Sequence, residues 1–204
     1  MTALLQAYRD DGPLAGIVAA RPVPAPALLL TALAAAAAAV GLLADRGTVG
    51  AWSLTGIAVF VVLGLLGGAG RQHPQVQWLV PPLLRGGEYG IVAVLTLRAD
   101  PSGLWLAYAL LAAVAFHQYD IVYRLRHQRK APPALIARLG GGWEGRTIIV
   151  TVAAVAGVLA TTLAVLAVWC GALFVSESMR SWITLALDET RRSHVGTEIE
   201  EEEV

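Results

Sequence analysis

Three short stretches of this chain hold side chains able to do chemistry. In "FHQYDIVYRLRHQ" (116–128), His117, Asp120 and Arg124 fall at i, i+3 and i+7, which puts them on one face of a helix. Asp120 precedes Arg124 by four residues, the favourable order for a helical ion pair. In "WLVPPLLRGGEYG" (78–90), Arg85 stands three residues before Glu88. In "RLGGGWEGR" (138–146), three glycines lead into Glu144 and Arg146. Guanidinium groups grip phosphate through paired N–H donors, so Arg85, Arg124 and Arg146 are the candidate phosphate-binding residues. Glu88, His117, Asp120 and Glu144 are the candidate catalytic acids and bases. Carboxylates also suit a hard divalent cation, which makes magnesium the metal to consider, although no residue pattern defines a metal site. The glycine amides would cradle an anion.

Each residue also has a plainer reading. The basics from Arg124 to Lys130 are the usual positive flank of a membrane helix. Asp120 with Arg124 serves as a structural pair, His117 as an interfacial side chain, and the glycines as a turn. Glu88 is the exception, because an acid inside an apolar run is costly and is read as functional by default. Zinc-protease, paired-cysteine, phosphate-loop and serine-hydrolase motifs are missing from the sequence. The one cysteine, Cys170, lies in an apolar run and reads as a packing residue. Residues 11–16, "DGPLAG", start like the D-G-x-x-A-R opening of CDP-alcohol phosphatidyltransferases. Gly16 stands where arginine belongs, and the later metal-binding aspartates are absent, so Asp10 and Asp11 are expected to cap or break a helix.

The elements that must position these groups are membrane helices. The 204 residues are 56% hydrophobic and 15% charged, against roughly 25% charged in soluble domains. Apolar runs near the length of a bilayer span occupy 25–43, 51–68, 78–97, 103–120 and 147–175. Without alternation these are helices, so the fold class is all-α, a polytopic bundle of about five spans. Gly64 and Gly68 form a small-residue pair suited to helix packing. The expected organisation is an N-terminal cytoplasmic segment (1–24) with a short helix, a transmembrane domain (25–175), and a C-terminal amphipathic helix with a disordered acidic tail (176–204). An Asp or Arg at a helix centre costs about 2.5–3.5 kcal/mol on insertion scales. An exposed i, i+4 pair returns only about 0.3–0.5 kcal/mol. The charged clusters therefore belong at a membrane boundary or in a wet cavity. Lys and Arg placement puts the N-terminus and the 124–146 loop in the cytoplasm and, with five spans, the C-terminus outside.

The stretches "YRDDGPLAG", "WLVPPLLRGGEYG", "FHQYDIVYRLRHQ" and "RLGGGWEGR" together resemble an actinobacterial membrane family of unknown function. The resemblance runs from Tyr8 through the fifth apolar run and leaves out the tail from Ser176. Members of that family are often fused to nucleotidyltransferase and CDP-alcohol phosphatidyltransferase domains. The resemblance implies a plasma-membrane protein acting in or supporting phospholipid or CDP-alcohol metabolism, of the phospho-inositol type, at the cytoplasmic face. It implies membrane lipid as a partner, with a phosphatidyltransferase or nucleotidyltransferase beside it, and no nucleic acid. It transfers no catalytic residue, so an enzyme and an accessory subunit both stay open. A non-catalytic anchor for partner enzymes is the alternative, and a small transporter comes third.

Overall fold

A computed structural model describes residues 7–127 and 131–202. A helical turn at 7–9 ends at Asp10, and α1 (Pro13–Ala19) follows with Pro13 in its first turn, where a missing N–H matters least. A short extended piece, Val23–Pro26, pairs in parallel with Gly70–Arg71. Between them α2 (Ala27–Ala44) and α3 (Ala51–Ala69) form a tight hairpin. A Cβ on Gly41 would fall 2.8 Å from the Gly56 Cα, so these two glycines let the backbones close on each other. Gly64, half of the expected small-residue pair, instead makes room for the Trp143 ring.

The next helix, α4 (Val80–Ala99), opens with Pro81 and Pro82 in its first turn. It lies along α2, and its last turn sends the Arg98 guanidinium to the Leu42 carbonyl at 2.5 Å. Then come α5 (Leu104–His127), the short α6 (Ala134–Leu139), α7 (Gly142–Val155) and α8 (Leu159–Glu202). The chain therefore has two ends. The hairpin end carries Asp45, Arg46, Arg98 and Asp100. There Asp45 Oδ2 accepts the Gly50 and Ser53 N–H groups at 3.1 and 2.6 Å and so caps α3. The charged end carries the N-terminal segment, the start of α4, the last turns of α5 and the start of α7. Among the described residues, Arg46 and Arg98 are the only Lys or Arg at the hairpin end.

Four helices are long and apolar enough to cross a membrane, within Ala27–Ala44, Ala51–Ala69, Pro101–His127 and Leu159–Leu187. They are stretches 25–43, 51–68 and 103–120 and the second half of 147–175. The stretch 78–97 becomes α4, which runs between the same two ends but carries Arg85, Glu88 and Arg98. The run 147–175 is not one span. It breaks at Gly157, whose φ of +73° is left-handed and ends the helix. What looked like a single apolar segment is a helical hairpin: α7, 14 residues and about 21 Å long, then α8. Pairs between α5 and α8 rise together in number, His117 with Phe174 and Tyr123 with Trp182, so these helices are parallel. Both run from the hairpin end to the charged end. The C-terminal side of α8 thus lies at the same end as the N-terminal segment, which corrects the expectation of opposite sides. Past Ser176 the chain continues in α8 without a break to Glu202.

Candidate functional site

Five charged or titratable side chains meet at the charged end, and four of them come from helices packed around the fifth. Asp10, in the N-terminal segment, is fully buried and has a left-handed backbone (φ 54°), a region that Asp tolerates better than most residues. Its carbonyl accepts the Trp143 N–H at 3.3 Å, which pins the segment to the start of α7. Its Oδ2 accepts Arg146 Nη2 at 2.9 Å and stands 3.6 Å from Arg85 Nη2. Arg146 Nε donates to Glu88 Oε1 at 2.6 Å, and Arg85 Nη1 donates to Glu88 Oε2 at 2.8 Å. Arg146 Nη1 reaches the Gly140 carbonyl at 3.1 Å, and Arg85 Nη2 reaches the Arg9 carbonyl at 2.5 Å. His117 Nε2 lies 3.6 Å from Asp10 Oδ1, and its ring stacks on Phe174 with centroids 3.9 Å apart. Two arginines face two carboxylates, so the network is neutral apart from the histidine. Burial alone pushes the Asp10 carboxyl up, but the Arg146 guanidinium, the His117 ring and the Arg85 guanidinium hold it well below the usual aspartate range.

Glu144 sits beside this network with a different task. Its Oε2 accepts the Gly12 N–H and its Oε1 the Ala15 N–H, each at 3.1 Å. It caps α1 from across the structure, where an anion is favoured by the unpaired amides of a helix start. Burial pushes its carboxyl above the ordinary glutamate range, and the Ala15 and Gly12 amides oppose that rise only in part. The glycines before it do not cradle an anion. The Gly140 and Gly141 amides are spent on the Ile136 and Arg138 carbonyls at 2.8 and 3.2 Å, closing the end of α6. Gly142 has a φ of +61° and packs so close to the Gly12 backbone that a Cβ there would overlap it. These glycines are a close-approach device.

Asp120 and Arg124 share a helical face with His117, as their spacing predicts, yet they join a separate cluster. Arg124 pairs with Asp120, and its two terminal nitrogens grip both oxygens of Glu177 on α8 at 2.7 and 2.9 Å. Ser178 Oγ donates to Asp120 Oδ1 at 3.2 Å. The face of α5 is thus divided one turn apart: His117 lies between Asp10 and the Phe174 ring of α8, while Asp120 and Arg124 meet Ser178 and Glu177.

The seven residues nominated from sequence all lie at one end, but they do three jobs. Arg85, Glu88, His117 and Arg146 come together around Asp10. Asp120 and Arg124 stand apart with Glu177. Glu144 is a cap. Asp10 was read as a helix breaker and turns out to be the hub; Asp11 pairs with Arg9 Nε at 3.0 Å. Arg129 and Lys130 lie outside the described residues. Both oxygens of Glu88 and all three nitrogens of Arg146 have hydrogen-bond partners within the network. Asp10 and His117 differ. Asp10 Oδ1 and His117 Nδ1 are buried without a hydrogen-bond partner. Both residues line a cavity of about 460 Å³ between the N-terminal segment and residues 131–138, with Asp11, Gly12 and Arg138 also on its walls. A carboxylate oxygen without a hydrogen-bond donor accepts hydroxyl donors, and Arg138 offers a cationic rim. Among the described residues, no three His, Cys, Asp or Glu side chains gather as a metal ion requires.

The fold and site define a helical membrane-type bundle with a neutral ionic core and a polar cavity at one end. The chain belongs to the family of unknown function DUF5941, whose model matches residues 1–197. The family therefore includes most of the segment after Ser176, which the sequence resemblance left out, in keeping with α8 being one helix that carries Glu177 into the structure. No curated protein and no solved structure matches the chain.

Proposed function

We propose that this is a multi-pass plasma-membrane protein that binds a phosphorylated polyol headgroup at its cytoplasmic face, in or in support of phospholipid and CDP-alcohol metabolism. The charged end holds every described Lys and Arg except Arg46 and Arg98, so by the positive-inside rule it faces the cytoplasm, with the N-terminal segment and the C-terminal side of α8 on that side. The observation that carries the reading is the pair of unpartnered buried atoms, Asp10 Oδ1 and His117 Nδ1, in residues lining one cavity with Arg138. A polyol hydroxyl donates to Asp10, and a phosphate at the mouth meets Arg138. In a catalytic version of this reading, His117 is the base, since its Nδ1 has no hydrogen-bond partner while Glu88 is held by two arginines and Glu144 by two backbone amides. The resemblance to chains fused with phosphatidyltransferase domains points to the same metabolism.

The test is comparative lipid profiling of the host with and without the gene. A change confined to one phospholipid class or its phospho-alcohol precursor is expected. An unchanged profile would sink the reading and leave the anchor for partner enzymes. One feature favours that second reading: α8 has 44 residues, about 66 Å, and outruns a hydrocarbon core of about 30 Å. It exposes Met179, Trp182, Ile183 and Leu187 along the overhang. For an anchor, a phosphatidyltransferase co-purifies and loses activity when those four residues are changed.

A further inference from the structure

We infer that a second site, on the outer surface of the bundle, takes the phosphodiester of a membrane glycerophospholipid. A cavity of about 510 Å³ opens between the start of α4, the N-terminal segment and the second half of α5. Tyr8, Trp78, Pro82, Arg85, Gln118 and Val122 line it. It shares no lining residue with the Asp10–His117 cavity.

Two donors identify the ligand chemistry. Arg85 spends Nη1 on Glu88 and Nη2 on the Arg9 carbonyl, and its Nε is buried without an acceptor. The Gln118 amide nitrogen is buried without an acceptor as well. Shielded N–H groups left unpaired are costly, and here two of them belong to side chains on one cavity wall. An oxygen-rich anion satisfies both. An Nε–H of a guanidinium that already holds carboxylates makes a charge-assisted bond to phosphate. The remaining wall is apolar or aromatic. Pro82 and Val122 offer a surface for acyl chain, and Trp78 is 65% exposed, as an indole at the headgroup level of a bilayer would be. Tyr119, on the same helix as Gln118, is also exposed. The combination of phosphate donors, an interfacial tryptophan and an apolar flank fits a lipid better than a soluble phosphate ester. A bound phosphate would touch Arg85 and so bear directly on the ionic network around Asp10.

The experiment uses the full chain in detergent, stripped of lipid, with bound molecules read by native mass spectrometry. The probes are phosphatidylglycerol, diacylglycerol with the same chains, and glycerol phosphate. Phosphatidylglycerol is expected to bind; diacylglycerol should bind at least about tenfold more weakly, the effect of losing one charge-assisted hydrogen bond, and glycerol phosphate at least about tenfold more weakly because it buries no acyl chain. Gln118→Leu, outside the ionic network, is expected to weaken phosphatidylglycerol by about tenfold at an unchanged melting temperature. Arg85→Lys keeps the charge beside Glu88 but removes Nε, and is expected to act in the same direction. Equal binding of diacylglycerol, or wild-type affinity in Gln118→Leu, overturns the site. Glycerol phosphate binding as tightly as the lipid overturns the lipid assignment.

Discussion

Two ionic clusters stand at the same end of this bundle, made from the same residue types. The cluster around Asp10 ties together the N-terminal segment, α4, α5 and α7, with partners up to 136 positions apart. The cluster around Arg124 ties α5 to α8, with one arginine between two acids. The first is balanced, so each charge depends on every other. The second has an acid to spare, since Asp120 and Glu177 share one arginine. Charge balance and the number of elements joined, more than residue type, decide which cluster is a structural unit and which is a local clasp. The first also borders a cavity through Asp10 and His117, each of which has a buried atom without a hydrogen-bond partner.

The sharpest way to break the comparison is Arg146→Met. It leaves Glu88 Oε1 and Asp10 Oδ2 buried without their cation, and losing one member of a buried pair costs about 3–5 kcal/mol. Thermal unfolding of the purified protein should show the largest fall of any single change discussed, or the variant should fail to accumulate. Next comes Asp10→Asn, which removes one charge but keeps a side chain that accepts a left-handed backbone. A loss of about 1–3 kcal/mol is expected. Asp10→Ala should cost about 1 kcal/mol more, because alanine resists φ of 54°. Equal losses for the two would mean that backbone strain plays no part. Glu177→Gln should cost about 1 kcal/mol or less, since Asp120 still neutralises Arg124. A loss as large as that of Arg146→Met would erase the distinction between the clusters.

The smallest expected effect is a pH dependence. The folded-state pKa of Glu144 lies above its ordinary value of 4.5, so folding favours its protonated form. Its contribution is fully present below pH 4.5 and is lost as pH rises through the folded value. Glu144→Gln should flatten that part of the stability profile. Asp10 has the opposite sign: its folded pKa is depressed, so its contribution is present above its ordinary 3.8 and lost only in stronger acid. Melting temperatures across pH separate the two, and an unchanged slope in Glu144→Gln would remove the assignment.

Much of this was legible in the chain. Apolar runs of span length marked α2, α3 and α5, and the cost of charge in lipid picked out Glu88 and its neighbours as belonging together at a boundary. Asp10 was not legible, because it lies in a turn outside any periodic segment and its partners are remote. The division of the α5 face was hidden for the same reason: helical spacing places His117, Asp120 and Arg124 together but says nothing about which neighbour each meets. Composition is continuous across Gly157, so the hairpin of α7 and α8 looks like one long span, and counting it as one sends the C-terminal side to the opposite end of the bundle from the N-terminal segment. Glu177 lies just past that apolar run, where nothing in its spacing ties it to Arg124, its partner in the bundle.

The most direct test of the functional account runs the lipid profile on the two aspartates. Wild type, deletion, Asp10→Asn and Asp120→Asn are compared in the host at matched protein levels, with His117→Gln as a second probe of the cavity. The prediction is that Asp10→Asn and His117→Gln reproduce the deletion profile while Asp120→Asn keeps that of the wild type. A deletion profile in Asp120→Asn, with Asp10→Asn and His117→Gln unchanged, would place the function in the other cluster and contradict the account.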